Sequence, residues 1–448
     1  MTLDSTEVPT TATRIAAKPR LIGASALLPV QIPHTRHMFA RGIQAGRWVF
    51  ATGQCGTDYS HALAPEVLQS AHPHNGGSKA RREAKRIFQN VNEVLVEAGA
   101  SAESVVRIDQ YYTSPEVVDA YHEVRREYFK GVIPPSTSNL HRRFSRVGQS
   151  MEVQVMAAIG DEGFSVQHEK FSGTYRIHPS SGYSPALRAG DFRFIPGQTA
   201  EALREEDAPV DPEAKRPYGL WKGTPIKLET EFIIRRKLAP ALEKSNSSLD
   251  NVVKAQVYLR DEADIAGFNE VWSRHFKTPP ATTIVATATP GFIMPELRIE
   301  INVIALANDG DTRKESITAA EPLFEGWTPA IRAGDLLFIS GLMGVCNGRL
   351  VGDAISDPTQ PFFGFPVKAE LQEILRQADI LCRAAGTTVQ NVVRIQQFHR
   401  DLATLAPTLD TWSDALYGQP IPISPVEVNW LPVPDAQIQV DLWVYVPG

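Results

Sequence analysis

The chain has 448 residues, 43% of them hydrophobic and 21% charged, with 45 Lys and Arg against 51 Asp and Glu for a formal net charge of −6. That length holds two or three domains of ordinary size. No apolar run approaches the ~20 residues of a membrane span, and the acidic balance weighs against a general nucleic-acid surface, which needs clustered cations to displace counterions.

Residues 1–22 read as a polar, mobile lead-in without the apolar stretch of a secretory signal, so the expected compartment is the cytoplasm. Residues 45–54 then read AGRWVFATGQ, and the phrase returns as AGDFRFIPGQ at 189–198 and AGDLLFISGL at 333–342. Gly46, Gly190 and Gly334 stand 144 residues apart in both steps (190 − 46 and 334 − 190). A period this long sets the architecture before any short motif does. After each phrase comes a helical pattern, with Ile87, Val91, Val94, Leu95 and Ala98 on one face in the first copy and Leu371, Ile374, Leu375, Ala378 and Leu381 in the third. The second copy contains Pro240, which removes an amide donor and predicts a kink or a shortened helix.

A strand opening on a Val-Val pair follows at Val105, Val252 and Val392, at steps of 147 and 140 (252 − 105 and 392 − 252), so small insertions separate otherwise matching units. A second helical stretch, with Trp272 and Trp412 as core anchors, precedes a Pro-containing loop and a final strand. The sequence thus predicts three α+β units at 23–165, 166–310 and 311–448, each placing two helices on one sheet face. Alternation along the final strand of the second unit points Ile299, Ile301 and Val303 at the helices and Arg298, Glu300 and Asn302 the other way, with Gln154 and Gln439 on the corresponding face of the other copies.

Cofactor signals are absent. Cys55, Cys346 and Cys382 form neither a disulfide framework nor a paired metal spacing. The histidines of HTRH at 34–37 and HPH at 72–74 lack further ligands. There is no phosphate-cradling glycine loop and no GxSxG elbow, and Cys55 has no evident partner base. The basic run HRRFSR at 141–146 reads as a solvated strand edge.

Taken together, the first-strand phrase, the Val-Val strand, and the run from PPAT to ELRIEINVIA resemble the Rid family of reactive-intermediate imine deaminases, also called YjgF proteins, across nearly the whole chain. The resemblance implies chorismate-mutase-like units which, being three, close into an intramolecular pseudotrimer around a central barrel, with a ligand cleft at each seam. It also implies site residues. The arginine with which the family grips a carboxylate is replaced at the matching positions by Thr137, Thr282 and Ser424. Those hydroxyls make bonds worth about 1 kcal/mol where charge-assisted ones are worth about 1.5–3. The family's acidic residue matches Glu300, with Gln154 and Gln439 in the other copies; its asparagine matches Asn269, against His122 and Leu409. Its pocket tyrosine matches Tyr183, against Phe39 and Trp327, and its turn serine matches Ser340, against Thr52 and Pro196.

On this reading Glu300 is the expected catalytic acid or base, with His122 and His141 as a further acid/base pair, and the plain alternative is that Arg298 or a cross-strand partner holds Glu300, which then merely satisfies the seam. The expected activity is hydrolytic, lyase or deaminase chemistry on a C–N, enamine or enol-type small molecule, an aromatic or keto acid, without metal or organic cofactor. Chorismatases, built from related units, hydrolyse an enol ether in this way. The alternative is a binding protein whose pockets at Phe39, Tyr183 and Trp327 hold a planar ligand. Ribonuclease activity, attributed to some members, sits poorly with the acidic charge. The expected partner is a small molecule, with neither nucleic acid nor membrane, and the expected particle is a monomer acting as a pseudotrimer, alone or further self-associated.

Overall fold

The computed structural model describes residues 23–448 apart from 33, 69–76, 180, 220–222, 289, 293, 353–358 and 360–363. The proposed lead-in at 1–22 and the histidines at 72 and 74 lie outside the described residues. Each unit builds one sheet in a single repeated order. In the first unit Ala24–Leu27, Gly42–Ala45 and Trp48–Gln54 pair in turn, Met151–Ala158 lies beside them, then Val105–Tyr112 and finally Ser136–Leu140. The closing strand runs antiparallel to both neighbours, whereas the edge strand runs parallel to the Val-Val strand because the second helix supplies a crossover.

The Val-Val strands Val105–Tyr112, Val252–Leu259 and Val392–His399 are buried along their full length. Strands covered on both faces favour the branched residues found there. The first helix of the first unit, Lys79–Glu97, starts where Ser78 accepts from the Arg81 amide, a cap worth about 1 kcal/mol. It buries Ile87, Val91, Val94 and Leu95, the face predicted from periodicity. In the second unit the helix Pro225–Phe232 passes into a wider π-helical stretch, Ile233–Leu238, before resuming as Ala239–Lys244. Pro240 cannot donate to the preceding turn, and the chain widens there instead of ending.

The units pack head to tail in a closed cycle. Strands Val105–Tyr112 and Ser136–Leu140 of unit 1 meet Phe192–Thr199 of unit 2; Val252–Leu259 and Ala281–Ala286 of unit 2 meet Ala330–Ala333 and Leu336–Ile339 of unit 3; Val392–His399 and Ile423–Glu427 of unit 3 meet Trp48–Gln54 of unit 1. The sheets remain open at their edges, so the interior is enclosed by three walls and not by one hydrogen-bonded barrel. The third seam, where no peptide joins the units, carries an added strand: Arg143–Phe144 of unit 1 pairs antiparallel with Val426 and Glu427 of unit 3. Arg142 and Arg143 also reach Glu427 at 3.3 and 2.7 Å. The basic run at 141–146 therefore joins two units instead of facing only solvent.

Polar side chains on the inner faces hold the walls together. Lys254 of unit 2 reaches Asp441 of unit 3 at 2.9 Å, and Gln256 donates to the same carboxylate at 2.9 Å. Arg394 of unit 3 donates to Gln154 of unit 1 at 2.9 Å, and Gln396 to the Tyr111 hydroxyl at 2.8 Å. Each unit also lends an aromatic to its predecessor. Tyr183 bridges by its backbone to Ile133 and packs on the first unit's core, Trp327 joins the second unit's core, and Phe39 bridges to Ile421 of the third.

Candidate functional site

Where the hairpin strand of each unit meets the closing strand, the ladder slips. The register jumps between Ala51 and Gln54 and again between Ile195 and Gln198. These bulges fall on the TGQ and PGQ turns, which explains how Pro196 is tolerated inside a strand. The glycine of each bulge leaves a gap that a side chain from the closing strand enters. A Cβ on Gly197 would stand 1.8 Å from Glu300 Oε1, one on Gly53 2.5 Å from the Glu152 carboxyl, and one on Gly341 2.5 Å from Gln439 Nε2.

At the first seam this arrangement borders open space. A cleft of ≈ 350 Å³ is lined by His122, Ser136 and Ser138 of unit 1 and by Arg176, Tyr183 and Glu300 of unit 2, among others. Glu300 is 6% exposed and receives the side-chain amide of Asn139 at 3.2 Å. Burial pushes its carboxyl up to about 8; hydrogen bonds from the Ser138 backbone and Asn139 oppose the shift, and the charge of Asp109 adds to it. Arg298 does not neutralise it, because its guanidinium forks onto Asp264 at 2.9 and 3.0 Å. Burial and the neighbouring Arg125 and Arg126 pull His122 down to about 3, so its imidazole is neutral. Arg176 is committed to Glu201 at 2.6 Å.

The other seams differ. At the third, Glu152 occupies the position of Glu300: Tyr111 faces Glu152 as Tyr258 faces Glu300 and Phe398 faces Gln439. Its carboxyl, pushed up to about 7 by burial, accepts from Ser424 Oγ at 2.8 Å. Tyr59 fills the neighbouring space, stacked on Phe39 with ring centroids 6.3 Å apart, with Arg41 4.3 Å from its ring centre and its hydroxyl donating to Gln54 at 2.7 Å. Cys55 there is buried, its thiol pushed up to about 11 by burial. At the second seam the carboxyl is replaced by Gln439, and Trp327 lies in the core beside Phe324 at 4.8 Å.

Of the residues expected from sequence, His122, Tyr183 and Glu300 come together. His141 does not join them: it is fully buried, its ring among Tyr111, Phe144 and Phe398, pulled down to about 3 by burial. Asn269 is the counterpart of His122 on the next unit's helix and does not line this cleft. Thr137 accepts from Asn302 at 3.0 Å across the seam. Strand register makes Thr283, not Thr282, the counterpart of Thr137 and Ser424, since these three face Gln256, Asp109 and Gln396. Thr282 instead donates its backbone N–H to Ser340 Oγ at 2.9 Å. Thr52 bonds to the Ala40 carbonyl at 2.6 Å. The counterpart of Glu300 in the first unit is Glu152 and not Gln154; alternation alone leaves a two-residue slip undetected, because both residues face the same way.

Among the described residues, no group of three or more His, Cys, Asp or Glu could hold a metal ion, and no helix is long and apolar enough to cross a membrane. His37 of the HTRH run pairs with Asp410 at 3.0 Å.

The fold and the cleft define a single-chain assembly of three small α+β units with a shared pocket between neighbours. The sequence matches the Endoribonuclease L-PSP family three times, over residues 30–159, 173–307 and 318–446, and the chain belongs to this family, the Rid or YjgF proteins. A RutC family protein of Pyrococcus abyssi is 34% identical over 128 residues, which are 28% of this chain and 87% of the relative. The mitochondrial protein MMF1 of Saccharomyces cerevisiae is 33% identical over 128 residues, 28% of this chain and 76% of its own. The crystal structure of yeast Mmf1 shares 28% identity, with all of that chain matching 32% of this one at a TM-score of 0.26.

Proposed function

We propose that the protein is an enzyme acting on a small molecule in the cleft between its first and second units, with Glu300 as general acid and base. One observation carries this reading: a buried carboxyl with no cation partner among the described residues, held protonated up to about pH 8, borders open volume. A group titrating near the working pH gives and takes protons most effectively. On an enamine or enol ether, protonated Glu300 gives its proton to the electron-rich carbon. Water then adds to the resulting cationic carbon and gives one proton to the carboxylate, which regenerates the acid. The acid next protonates the leaving nitrogen or oxygen and the carboxylate takes the proton of the new hydroxyl, so the C–N or C–O bond breaks to give a carbonyl compound and an amine or alcohol. No step calls for a metal or organic cofactor.

Supporting the reading, among the described residues this seam combines the acid with space, whereas Tyr59 packs on Phe39 at the third and Gln439 replaces the acid in the second. The closed cycle of contacts further supports a monomer acting as a pseudotrimer. Light scattering is expected to give a particle of one chain; a three-chain particle would contradict it.

The test is Glu300→Gln assayed on enamines, imino acids and enol ethers of aromatic and keto acids. The variant should bind substrate and lose at least ~10²-fold in kcat; full turnover sinks the assignment. The aromatic lining favours a second reading, a binding protein for a planar ligand, which would show saturable binding without turnover in either form.

A further inference from the structure

One charge beside the cleft has no counter-ion. Arg125, on the second helix of unit 1, Val118–Tyr128, is 0% exposed and forms no ion pair among the described residues. Its counterparts at the eighth position of the same helix in the other units are Trp272 and Trp412, both fully buried. A guanidinium thus stands where the other copies have an indole, and only on the helix that faces the open cleft. Its partners are neutral. Nη1 donates to Gln110 Oε1 at 3.0 Å and to Ser136 Oγ at 3.3 Å, and Nη2 donates to the Ser181 carbonyl and, at 3.4 Å, to Ser181 Oγ. Nε has no hydrogen-bond partner among the described residues. The ring of Tyr121 lies 5.8 Å away. Burial pulls the guanidinium below its usual range, the direction expected when no anion offsets desolvation.

Ser136 and Ser181 both line the cleft. Arginine has donors only, so each hydroxyl oxygen that receives one of its hydrogens has its own hydrogen directed elsewhere. The cleft is the open side. Of the other charged groups that line it, Arg176 pairs with Glu201, Glu300 is uncharged near neutrality, and Asp119 is a solvent-exposed carboxylate.

We propose that Arg125, Ser136 and Ser181 form an oxyanion site in the wall of this cleft: the two hydroxyls donate to a carboxylate or phosphate of the ligand, and the guanidinium behind them supplies the counter-charge. Arg125 acts as a positioning residue, through the serines. The site deepens the enzyme reading above by giving the substrate an anionic group.

The probes are acetate, benzoate and inorganic phosphate, with tetramethylammonium as control, titrated into the full chain and followed by thermal midpoint and amide chemical shifts. Saturable binding of at least one anion is expected, weakened at least tenfold in Ser136→Ala/Ser181→Ala, with the control inert. Tighter binding of the carboxylates or of phosphate distinguishes the two sources. Arg125→Lys should retain part of the affinity and Arg125→Gln none. Because either Arg125 change could disturb folding, the serine pair decides the matter. Equal anion binding in wild type and the serine double variant, or no saturable binding, overturns the site. Glu300→Gln should still bind the anion; turnover surviving that change would refute the acid assignment and leave the oxyanion site standing.

Discussion

The side-chain amide of Asn139, in the first unit, donates to the carboxyl of Glu300, in the second, at 3.2 Å. The candidate acid is thus oriented by a neighbouring unit, and its titration is set across a seam. Because this bond favours the ionised form, Asn139→Ala should move the alkaline limb of the pH–rate profile upward from about 8. An unmoved limb would show that the bond does not tune the reaction.

Gly197 has an ordinary backbone conformation, so alanine there costs little in the chain itself. Its methyl would nevertheless occupy the space of Glu300 Oε1. Gly197→Ala is expected to keep the far-ultraviolet circular dichroism of the parent and to lower kcat at least ~10-fold, since displacing an acid by about 1 Å can cost up to ~10²-fold. Unchanged kcat would mean that the carboxyl works from another position.

Glu300 also leaves a mark on stability. In the fold it keeps its proton to about pH 8, whereas the unfolded chain releases it near 4.5. Between those values the unfolded state binds fewer protons, so stability falls as pH rises through the window and levels off above it. Glu300→Gln removes this slope. Urea midpoints at pH 5, 7 and 9 should show the variant gaining on wild type up to pH 8 and no further. Glu152, titrating near 7, contributes equally to both proteins and cancels.

The Lys254–Asp441 pair, fully buried at 2.9 Å between units 2 and 3, should be costly to halve. Lys254→Met is expected to lose up to about 3 kcal/mol in denaturant unfolding, because it leaves the buried Asp441 carboxylate with Gln256 and, as its one remaining cation among the described residues, Arg394 at 3.7 Å. Adding Asp441→Leu should recover much of that loss. If the double variant were no more stable than the single one, the stranded charge would not be the cause.

Much of the fold was legible because it is written three times. The Val-Val pairs mark the first residues of their strands, and Ile87, Val91, Val94 and Leu95 mark the buried helix face. Pro240 signalled a disturbed helix, but not that the disturbance would take the form of a π-turn. The site was less legible. Glu300, Tyr183 and His122 belong to different elements, and only the head-to-tail packing brings them to one cleft. Arg125 passed unnoticed because a basic residue on a polar helix stretch reads as surface, and its burial depends on the neighbouring unit, whose Ser181 it holds. Glu152 was hidden by a slip of two residues, and Tyr59 by its place in a loop with no period to mark it.

Two of the three seams are crossed by the polypeptide; the third is held by noncovalent contacts, and its outermost fastening is the short pairing of Arg143 and Phe144 with Glu427 and Val426, beside the inner bonds of Arg394 to Gln154 and Ser424 to Glu152. The molecule is in this sense a belt with one buckle. Any fluctuation that opens it must first undo the buckle, so the amides of that strand should report, through their hydrogen exchange, how often the belt comes loose.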